Sequence, residues 1–436
     1  MRLDSSLRAS IVAGLRPPLV IMSDASGRQA AYAGMLSIVF RVLVLIGKFA
    51  FIVVLAKTTD PATLGIYALL LTVNSLAVYI IGLEIHTFTG REIAADRADN
   101  RGGVHIQSHL VTVTGVFLLA LPVIFGVVYS LNLVGKFHFV LFAAILLAEA
   151  LSQEFGRYLL MLSRPVASNL LQLIRGAAWM PLPTTLLLLG GGSDPINLVL
   201  WNWFAGALAA CLFGLWQIRQ YLQPRHRYRL EWFVEAFSSA RYYFAVALLT
   251  QVQLYSDRFV VQYFLGESSV GILSFFQSFA STIVTFVQTG VVAVMVPRLI
   301  LAADRGDNEE ERRIRRSMFS LGMGLALIIA AGLAIALPLL LSVMGKTAYR
   351  PGLPIFYILL AGNLAVVTGV VVHLSLYARR RDVQLMKVSL IVVPIGLLSN
   401  IVAVPLFGIT GAAWTFLIVA MTDLAIKYRL LTHVTR

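Results

Sequence analysis

Charged residues are scarce in this 436-residue chain, and cysteine is nearly absent. Asp, Glu, Lys and Arg make up 13% of the residues, whereas 58% are hydrophobic. A soluble domain of this composition would have more apolar side chains than its interior could hold. The single cysteine, Cys211, lies in an apolar run and excludes an intramolecular disulfide. The composition therefore indicates a polytopic membrane protein.

The chain also lacks the short motifs that carry chemistry. No phosphate-binding loop, metal-ligand spacing or nucleophile elbow occurs in it. We therefore predict no cofactor, no metal and no catalytic residue, and the function predicted is not that of an enzyme. A membrane enzyme that polymerises or ligates glycans is a weaker alternative, since it would need a large extracytoplasmic loop that this chain lacks.

What the chain has instead is long apolar runs, which predict an all-α polytopic membrane protein. Each run is long enough to cross a bilayer as a helix, and the weak ten-residue alternation of a membrane β-barrel is absent. Twelve transmembrane helices are predicted. Their approximate bounds are 31–56, 64–86, 109–134, 138–160, 166–189, 196–220, 241–264, 269–295, 316–343, 352–376, 384–406 and 410–430.

The loops alternate between neutral and basic. The basic set includes Arg219 to Arg241, Arg298 to Arg316, and Arg379 to Lys387, and it accounts for much of the formal net charge of +14. Basic loops stay on the cytoplasmic side of a membrane, so both termini are predicted to be cytoplasmic. The net charge is thus an orientation signal, and no nucleic-acid partner is predicted.

Two halves of the chain repeat one another. DPATLGIYALLL from Asp60 matches GESSVGILSFFQ from Gly266, and IAADRADN from Ile93 matches LAADRGDN from Leu301. ALPVIF and ALPLLL form a third pair in the same order. Six spans in each half give both halves the same orientation, which predicts two lobes related by a parallel internal repeat. The predicted units are a flexible cytoplasmic arm 1–30, an N-lobe 31–220, a basic linker 221–240, a C-lobe 241–430 and a tail 431–436.

The first span carries two cations, Arg41 and Lys48, which share one helical face because they are seven residues apart. A cation within a membrane costs several kcal/mol unless it is paired or hydrated. One interpretation is a wet cavity that binds an anion; the alternative is structural pairing, with Glu84 within reach of Arg41. Lys48 has no carboxylate at its depth, and Asn74 is the nearest polar residue expected.

Other intramembrane charges have similar alternatives. Folding the hairpin of the fourth and fifth spans pairs Glu154 with Arg175, although Arg157 could share Glu154. An Asp–Arg pair in the seventh span is expected opposite Gln277. The candidates for substrate binding are Arg41, Lys48, Arg175 and Arg258, and the candidates for proton or sodium coupling are Glu149, Asp257 and His373.

Several segments resemble the polysaccharide-transporter family that includes the Wzx-like O-antigen flippases, within the multidrug/oligosaccharidyl-lipid/polysaccharide exporter superfamily. The segments are DPATLGIYALLL, DRFVVQYFLGESSVGILSF, VMVPRLI, MGKTAYRPGLPIFYILLAG and SNIVAVPLFGITGAAWTFLI. The resemblance covers nearly all of the chain after about residue 30.

This resemblance implies a twelve-helix, two-lobed exporter of the bacterial inner membrane. Such a protein would flip a polyprenyl-diphosphate-linked oligosaccharide by alternating access, for O-antigen or exopolysaccharide synthesis. Its partners would be the lipid-linked oligosaccharide, membrane lipids, and the polymerase and glycosyltransferases of the same pathway. The alternative is a cation-coupled exporter of small molecules from the same superfamily, a branch that favours carboxylates in its cavity.

Overall fold

The computed structural model describes residues 24–95, 102–131, 133, 136–191, 194–222, 228–345 and 347–435, and it is helical without strands throughout that part. The prediction of an all-α membrane protein is confirmed. The first 23 residues of the predicted N-terminal arm lie outside the described residues, as does the repeat copy beyond residue 95.

The first half contains eight α-helices, with one π-helix between α6 and α7. The α-helices are α1 (Asp24–Thr58), α2 (Pro61–Gly82), α3 (His86–Ala95), α4 (Gly102–Ser130), α5 (Lys136–Met161), α6 (Pro165–Leu173), α7 (Pro181–Leu188) and α8 (Pro195–Ile218). The π-helix covers Ile174–Ala178.

The second half contains seven α-helices, with a π-helix at Gln288–Val292. The α-helices are α9 (Leu230–Leu265), α10 (Glu267–Ala280), α11 (Thr282–Val287), α12 (Ala293–Asp304), α13 (Asn308–Met344), α14 (Leu353–Ala378) and α15 (Asp382–Thr435).

Twelve membrane crossings emerge from these helices. Nine helices in the described part are long and apolar enough to cross a membrane. The fifth predicted span is the broken unit α6–π–α7, and the seventh lies within the more polar α9. The last of the nine, α15, holds two crossings, because Gly408 leaves the helical conformation with φ 64° and ψ −148°. This break is the turn that the sequence predicts at Phe407–Gly408.

Several helices begin at aspartates that cap their first turn. The Asp60 carboxylate accepts a hydrogen bond from the backbone N–H of Thr63 at 2.9 Å, and Pro61 occupies the first helical position. Asp194 caps α8 in the same way. A carboxylate at this position accepts a hydrogen bond from a backbone amide that has no partner within the helix, and its charge interacts favourably with the positive end of the helix dipole. Together with proline at the first helical position, these aspartates fix the residue at which each helix begins.

The two lobes meet closely where α2 packs against α10. A methyl group built on Gly65 would overlap the carbonyl oxygen of Glu267, and one built on Gly271 would overlap that of Pro61. Both members of each pair, Pro61 with Glu267 and Gly65 with Gly271, lie 206 positions apart in the sequence. The contact is therefore symmetric, as expected where an internal twofold axis passes between repeat-related helices.

The internal repeat is also visible in a turn. Ser163, between the fourth and fifth spans, has φ 61°, and Arg380, between the tenth and eleventh spans, has φ 58°. Non-glycine residues seldom adopt this left-handed conformation. Its presence at the same point of each lobe supports the predicted parallel repeat.

Helix α9 bridges the lobes at one end of the bundle. We term this end the linker end, because the N-lobe ends near residue 222 there and α9 begins there at residue 230. The first turns of α9 pack on the N-lobe, with Ala236 and Ala240 buried against Ile85 and Phe88. The Trp232 indole N–H donates to Nδ1 of His105 at 3.0 Å. Residues 230–240, which the sequence analysis places in a linker, thus form one helix with the seventh span.

Candidate functional site

A cavity of about 490 Å³ lies within the bundle. Its walls come from α1, α2, α5, α8 and the segment Gln172–Met180 of the N-lobe, while α9 of the C-lobe closes one side. This volume is within the range of pockets that hold drug-sized ligands. The polar and tyrosine side chains in its lining are Lys48, Tyr67, Asn74, Ser75, Tyr79, Glu149, Gln153, Gln172, Arg175, Gln251 and Tyr255.

Lys48 is exposed within this cavity, although it lies in the middle of an apolar helix. Close packing of α1 against the π-helix places it there, since a methyl group on Gly176 would lie 4.0 Å from Lys48 Cε. Lys48 makes no hydrogen bond or ion pair with any residue in the described ranges. Arg175 lies within electrostatic range and repels it, while Glu149 attracts it more weakly. The cavity lining thus contains a lysine side chain that no hydrogen bond or ion pair of the described residues engages.

Arg175 belongs to the π-helix, and its charge is paired. Its Nε lies 3.5 Å from Oε2 of Glu149, and its Nη1 donates to Oε1 of Gln153 at 3.4 Å. The Trp203 indole N–H donates to the other Glu149 oxygen at 2.9 Å. Two cations and one carboxylate line the cavity, so the cavity has an excess of one positive charge, carried by Lys48. π-helical turns often occur at functional sites.

Arg41 lies on the same helix as Lys48, two turns or about 10 Å nearer the linker end. Its Nε donates to Oδ1 of Asn169 at 3.3 Å, and the amide of Asn169 in turn donates to Ser37 at 3.0 Å. The alternative in which Arg41 reaches Glu84 does not occur in the structure, where Glu84 lies next to Arg157. Arg41 is exposed and held by a neutral amide, outside the cavity lining.

The ion pair expected between Glu154 and Arg175 is also wrong. Glu154 accepts a 2.6 Å bond from Arg157 three residues later, which was the alternative, and Arg175 pairs instead with Glu149. Arg157 also lies 3.6 Å from Glu84. The physical reason is that Arg157, one turn from Glu154 on the same helix, takes that carboxylate, while the Arg175 side chain reaches Glu149.

Aromatic rings form one wall of the cavity. Tyr67, Trp179 and Trp203 line it, and Phe51 and Phe142 pack behind them. The two indole rings are stacked with centroids 6.3 Å apart. This cluster holds the Trp203 N–H in position for Glu149, so the carboxylate has a fixed partner on each oxygen.

Asn74 supplies a free acceptor to the cavity. It is 9% exposed, and its Oδ1 has no hydrogen-bond partner in the part of the chain described. Gln172 and Gln251 bring further amides into the lining from different helices. The sequence analysis places Asn74 beside Lys48 but misses the glutamines, whose amides give no motif in sequence.

Asp257 and Arg258 lie beside the cavity rather than in its lining. Arg258 Nη1 donates to Thr72 of the N-lobe at 3.0 Å, and its guanidinium stacks over Tyr255 with 5.1 Å to the ring centroid. Asp257 is buried, and its Oδ1 accepts the backbone N–H of Arg258 at 2.8 Å. Arg258 thus connects the lobes, and among the described residues no hydrogen bond joins this pair to Gln277.

His373 lies in a separate polar group within the C-lobe. Lys427 and Asp423 form an ion pair of 2.7 Å and are both within electrostatic range of the histidine. The sequence analysis misses this pair, although its four-residue spacing on one helix is the available signal. The candidates therefore separate into a cavity group (Lys48, Glu149, Arg175), a peripheral cation (Arg41), an interlobe pair (Asp257, Arg258) and His373.

Solved structures with this fold are transporters. The lipid II flippase MurJ in an inward closed conformation has a TM-score of 0.72 and 13% identity, covering 92% of this chain and 87% of that chain. An inward-facing multidrug resistance MATE family transporter of the MOP superfamily has a TM-score of 0.63 and 11% identity, covering 92% and 98%. At these identities the likeness establishes the fold alone.

A MOP superfamily transporter from Pyrococcus furiosus, described as having a binding pocket of reverse polarity, also has a TM-score of 0.63 at 11% identity, covering 93% of this chain and 94% of that one. A comparison with curated proteins finds no match. The family model described as polysaccharide biosynthesis protein matches residues 33–303, more than half of the chain. The chain therefore belongs to the polysaccharide biosynthesis protein family and has the two-lobed fold of MOP-superfamily transporters.

Proposed function

We propose that this multi-pass membrane protein flips a polyprenyl-diphosphate-linked oligosaccharide across the bacterial inner membrane. The observation that carries the proposal is Lys48, an ammonium group without an ion-pair partner in the described residues, which lines a cavity with an excess positive charge. A diphosphate is the anionic part of such a substrate. An ammonium in a partly dehydrated cavity binds it through charge-assisted hydrogen bonds.

The same cavity suits the sugar part of the substrate. Amide groups from Asn74, Gln172 and Gln251 offer donors and acceptors, while Trp179 and Tyr255 offer ring faces. Sugars present hydroxyl groups and apolar C–H faces, so this mixture is complementary to them. The prenyl chain would remain in lipid between the lobes. Arg41, nearer the linker end, would attract the diphosphate before it reaches Lys48.

The two lobes support alternating access as the transport mechanism. They contact at Gly65 and Gly271 near the end opposite the linker, and Arg258 joins them beside the cavity through Thr72. Rocking about the cavity would expose it to each side in turn. We place both termini and the basic loops on the cytoplasmic side. The polymerase and glycosyltransferases of the same glycan pathway would act with it.

Proton or sodium coupling remains part of this proposal. Among the sequence candidates, Glu149 is held by Arg175 and Trp203, while His373 lies within the C-lobe near Asp423. Asp257 is buried and makes no ion pair in the described part of the chain. Of the three candidates, Asp257 therefore has the arrangement that best suits a coupling ion. A buried carboxylate without an ion-pair partner favours binding of a proton or another cation.

Export of small cationic molecules is the second candidate, supported by the fold likeness to the multidrug resistance MATE transporter. The lining of the cavity opposes it. Glu149, the one carboxylate in the lining, is already paired with Arg175, and the remaining charge is that of Lys48. A cationic drug would meet repulsion from this group.

Binding of farnesyl diphosphate to the purified protein in lipid nanodiscs tests the proposal. A charge-assisted bond contributes about 1.5–3 kcal/mol, so Lys48→Ala should weaken binding roughly 10- to 150-fold. Lys387→Ala is the matched control, because this lysine is exposed outside the cavity. Tighter binding of tetraphenylphosphonium than of farnesyl diphosphate, unaffected by Lys48→Ala, would favour the small-cation exporter.

Glycan export in a deletion strain tests the function in cells. Wild-type protein should restore surface glycan, and Lys48→Ala and Arg41→Ala should reduce it at equal membrane levels. Normal export by both variants would show that neither cation serves the substrate and would overturn the diphosphate model.

A further inference from the structure

A second polar site lies in the N-lobe, one to two turns along α5 from the cavity. Glu154 is 1% exposed and His109 is fully buried. Oε1 of Glu154 accepts a 2.6 Å bond from Arg157, but Oε2 has no hydrogen-bond partner in the described residues. Nε2 of His109 also has none, and the two atoms face each other at 3.9 Å. A buried acceptor and a ring nitrogen without partners leave a gap between them.

One guanidinium serves two carboxylates beside this gap. Arg157 lies 2.6 Å from Glu154 and 3.6 Å from Glu84, whereas Arg175 acts on Glu154 from a greater distance. Glu154 thus shares the nearest arginine of the described residues with Glu84. Buried carboxylates and histidines within membrane proteins bind protons or relay them. The titratable and charged groups that surround Glu154 are Tyr79, Glu84, His86, His109, Arg157, Tyr158 and Arg175.

Hydroxyl groups lie next to the second ring nitrogen of His109, Nδ1. The hydroxyl of Tyr158 lies 2.8 Å from Nδ1 of His109, and that of Thr89 lies 3.4 Å from the same atom. A hydroxyl group can donate or accept. With Glu154 ionised, the ring donates from Nδ1 to Tyr158, so the lone pair of Nε2 faces Oε2 and no hydrogen bond joins the two atoms. With Glu154 protonated, its hydroxyl donates to Nε2 while the ring still donates from Nδ1 to Tyr158.

We propose that Glu154 and His109 form a proton-binding site that couples to the substrate cavity. Closing the 3.9 Å gap by roughly 1 Å makes an ordinary hydrogen bond once a proton lies between the two groups. The proton neutralises Glu154 and leaves Arg157 paired with Glu84 alone. Protonation forms one covalent bond, the O–H bond on Glu154, and deprotonation breaks the same bond.

The link to the cavity follows from helix α5. Glu149 and Gln153 line the cavity, and Glu154 and Arg157 follow on the same helix. Tyr79, in the cavity lining, lies within electrostatic range of Arg157. Loss of the negative charge on Glu154 therefore changes the electrostatic potential at the cavity. The role in driving transport rests on the proposed function, whereas the proton site itself does not.

Infrared difference spectroscopy of the protein in lipid nanodiscs tests the site. Acidification should produce the carbonyl band of a buried carboxylic acid in wild type, and Glu154→Gln should lose the part of this band that belongs to Glu154. The amide imitates the protonated acid in shape, and Arg157 keeps Glu84, so the variant should fold. Glu310→Gln is the control, since the Glu310 side chain is exposed and its ion pair in the described residues is with Arg313. An acid band of equal intensity in Glu154→Gln and wild type, or no titrating band in wild type, would overturn the proposal.

A second variant tests the histidine. His109→Phe removes the acceptor for the acid hydrogen while keeping a ring, and the loss of about one hydrogen bond should move the band's midpoint about one pH unit lower. An unchanged midpoint would show that His109 takes no part. Loss of the band on adding sodium chloride at constant pH would identify a metal cation as the ligand and overturn the proton assignment.

Coupling is measured as proton exchange with the solvent, that is, the uptake or release of protons by the protein when farnesyl diphosphate binds. A pH-indicator dye in weak buffer reports it. Wild type should exchange protons on binding, and Glu154→Gln should bind without exchange. Equal exchange in both proteins would separate the site from transport and overturn the coupling. If farnesyl diphosphate fails to bind wild type, the proposed cargo fails, while the infrared experiment still decides the proton site.

Discussion

The glycine contact between the lobes yields a quantitative prediction. Gly65→Ala places a methyl group on the carbonyl oxygen of Glu267, and Gly271→Ala places one on that of Pro61. Each oxygen belongs to a helix backbone, so relief requires α2 and α10 to separate. Overpacking of this kind costs about 1–3 kcal/mol. The state in which the lobes touch here should therefore lose population by roughly 5- to 150-fold.

Spin labels at Lys57 and Tyr263, in a Cys211→Ser background, measure the effect. Both positions are exposed near this contact, one in each lobe. Double electron–electron resonance in nanodiscs should show a longer distance component in either glycine variant. Because the contact is symmetric, the two variants should behave alike.

Gly115→Ala is the matched control, since a methyl group there has no atom within 4 Å. Alanine is the better helix former by about 0.5–1 kcal/mol, so this variant should keep the wild-type distances and melt no lower. The same distances and melting temperature in Gly65→Ala and Gly115→Ala would refute the argument that the glycines permit lobe closure.

Two further substitutions test buried charges. Glu311→Gln should lower unfolding stability by about 3–5 kcal/mol, because Glu311 is 2% exposed and pairs with Arg315 at 2.9 Å and with Arg379 at 2.7 Å. Thermal unfolding measures this, and a loss under 1 kcal/mol would contradict it. Trp203→Phe removes the N–H that binds Glu149 at 2.9 Å and should weaken farnesyl diphosphate binding about 5- to 10-fold by freeing the carboxylate to attract Lys48. Unchanged affinity would show that the carboxylate stays with Arg175 alone.

The architecture could be predicted from sequence because it depends on hydropathy and on the residues that interrupt helices. Apolar runs determine where helices cross, and the break at Gly408 follows from a loop between two such runs. The repeat was visible in short motifs, and Gly65 and Gly271 are the residues in them whose small size the structure explains. A cation in an apolar run predicts a polar environment for Lys48, and Lys48 lines the cavity in the structure.

The pairing of charges could not be predicted, for a geometric reason. Hairpin alignment assumes that consecutive helices are neighbours in regular register. Helix α1 instead packs mainly against the fifth span, so Arg41 meets Asn169 and not Glu84. Arg157 takes Glu154 from the same helix, and Arg175 pairs with Glu149 instead. The amides of the cavity converge only through tertiary structure, since each occurs on a different helix without a motif of its own.

The symmetric meeting of Gly65 and Gly271 has a consequence for the origin of the chain. A six-helix ancestor that dimerised about this axis would have made both contacts from one glycine codon, with each copy supplying Gly and a neighbouring carbonyl. Gene duplication and fusion would turn that one codon into two that mutate independently. Loss of either glycine opens the same contact, so fusion doubles the number of sites at which a single mutation can separate the lobes.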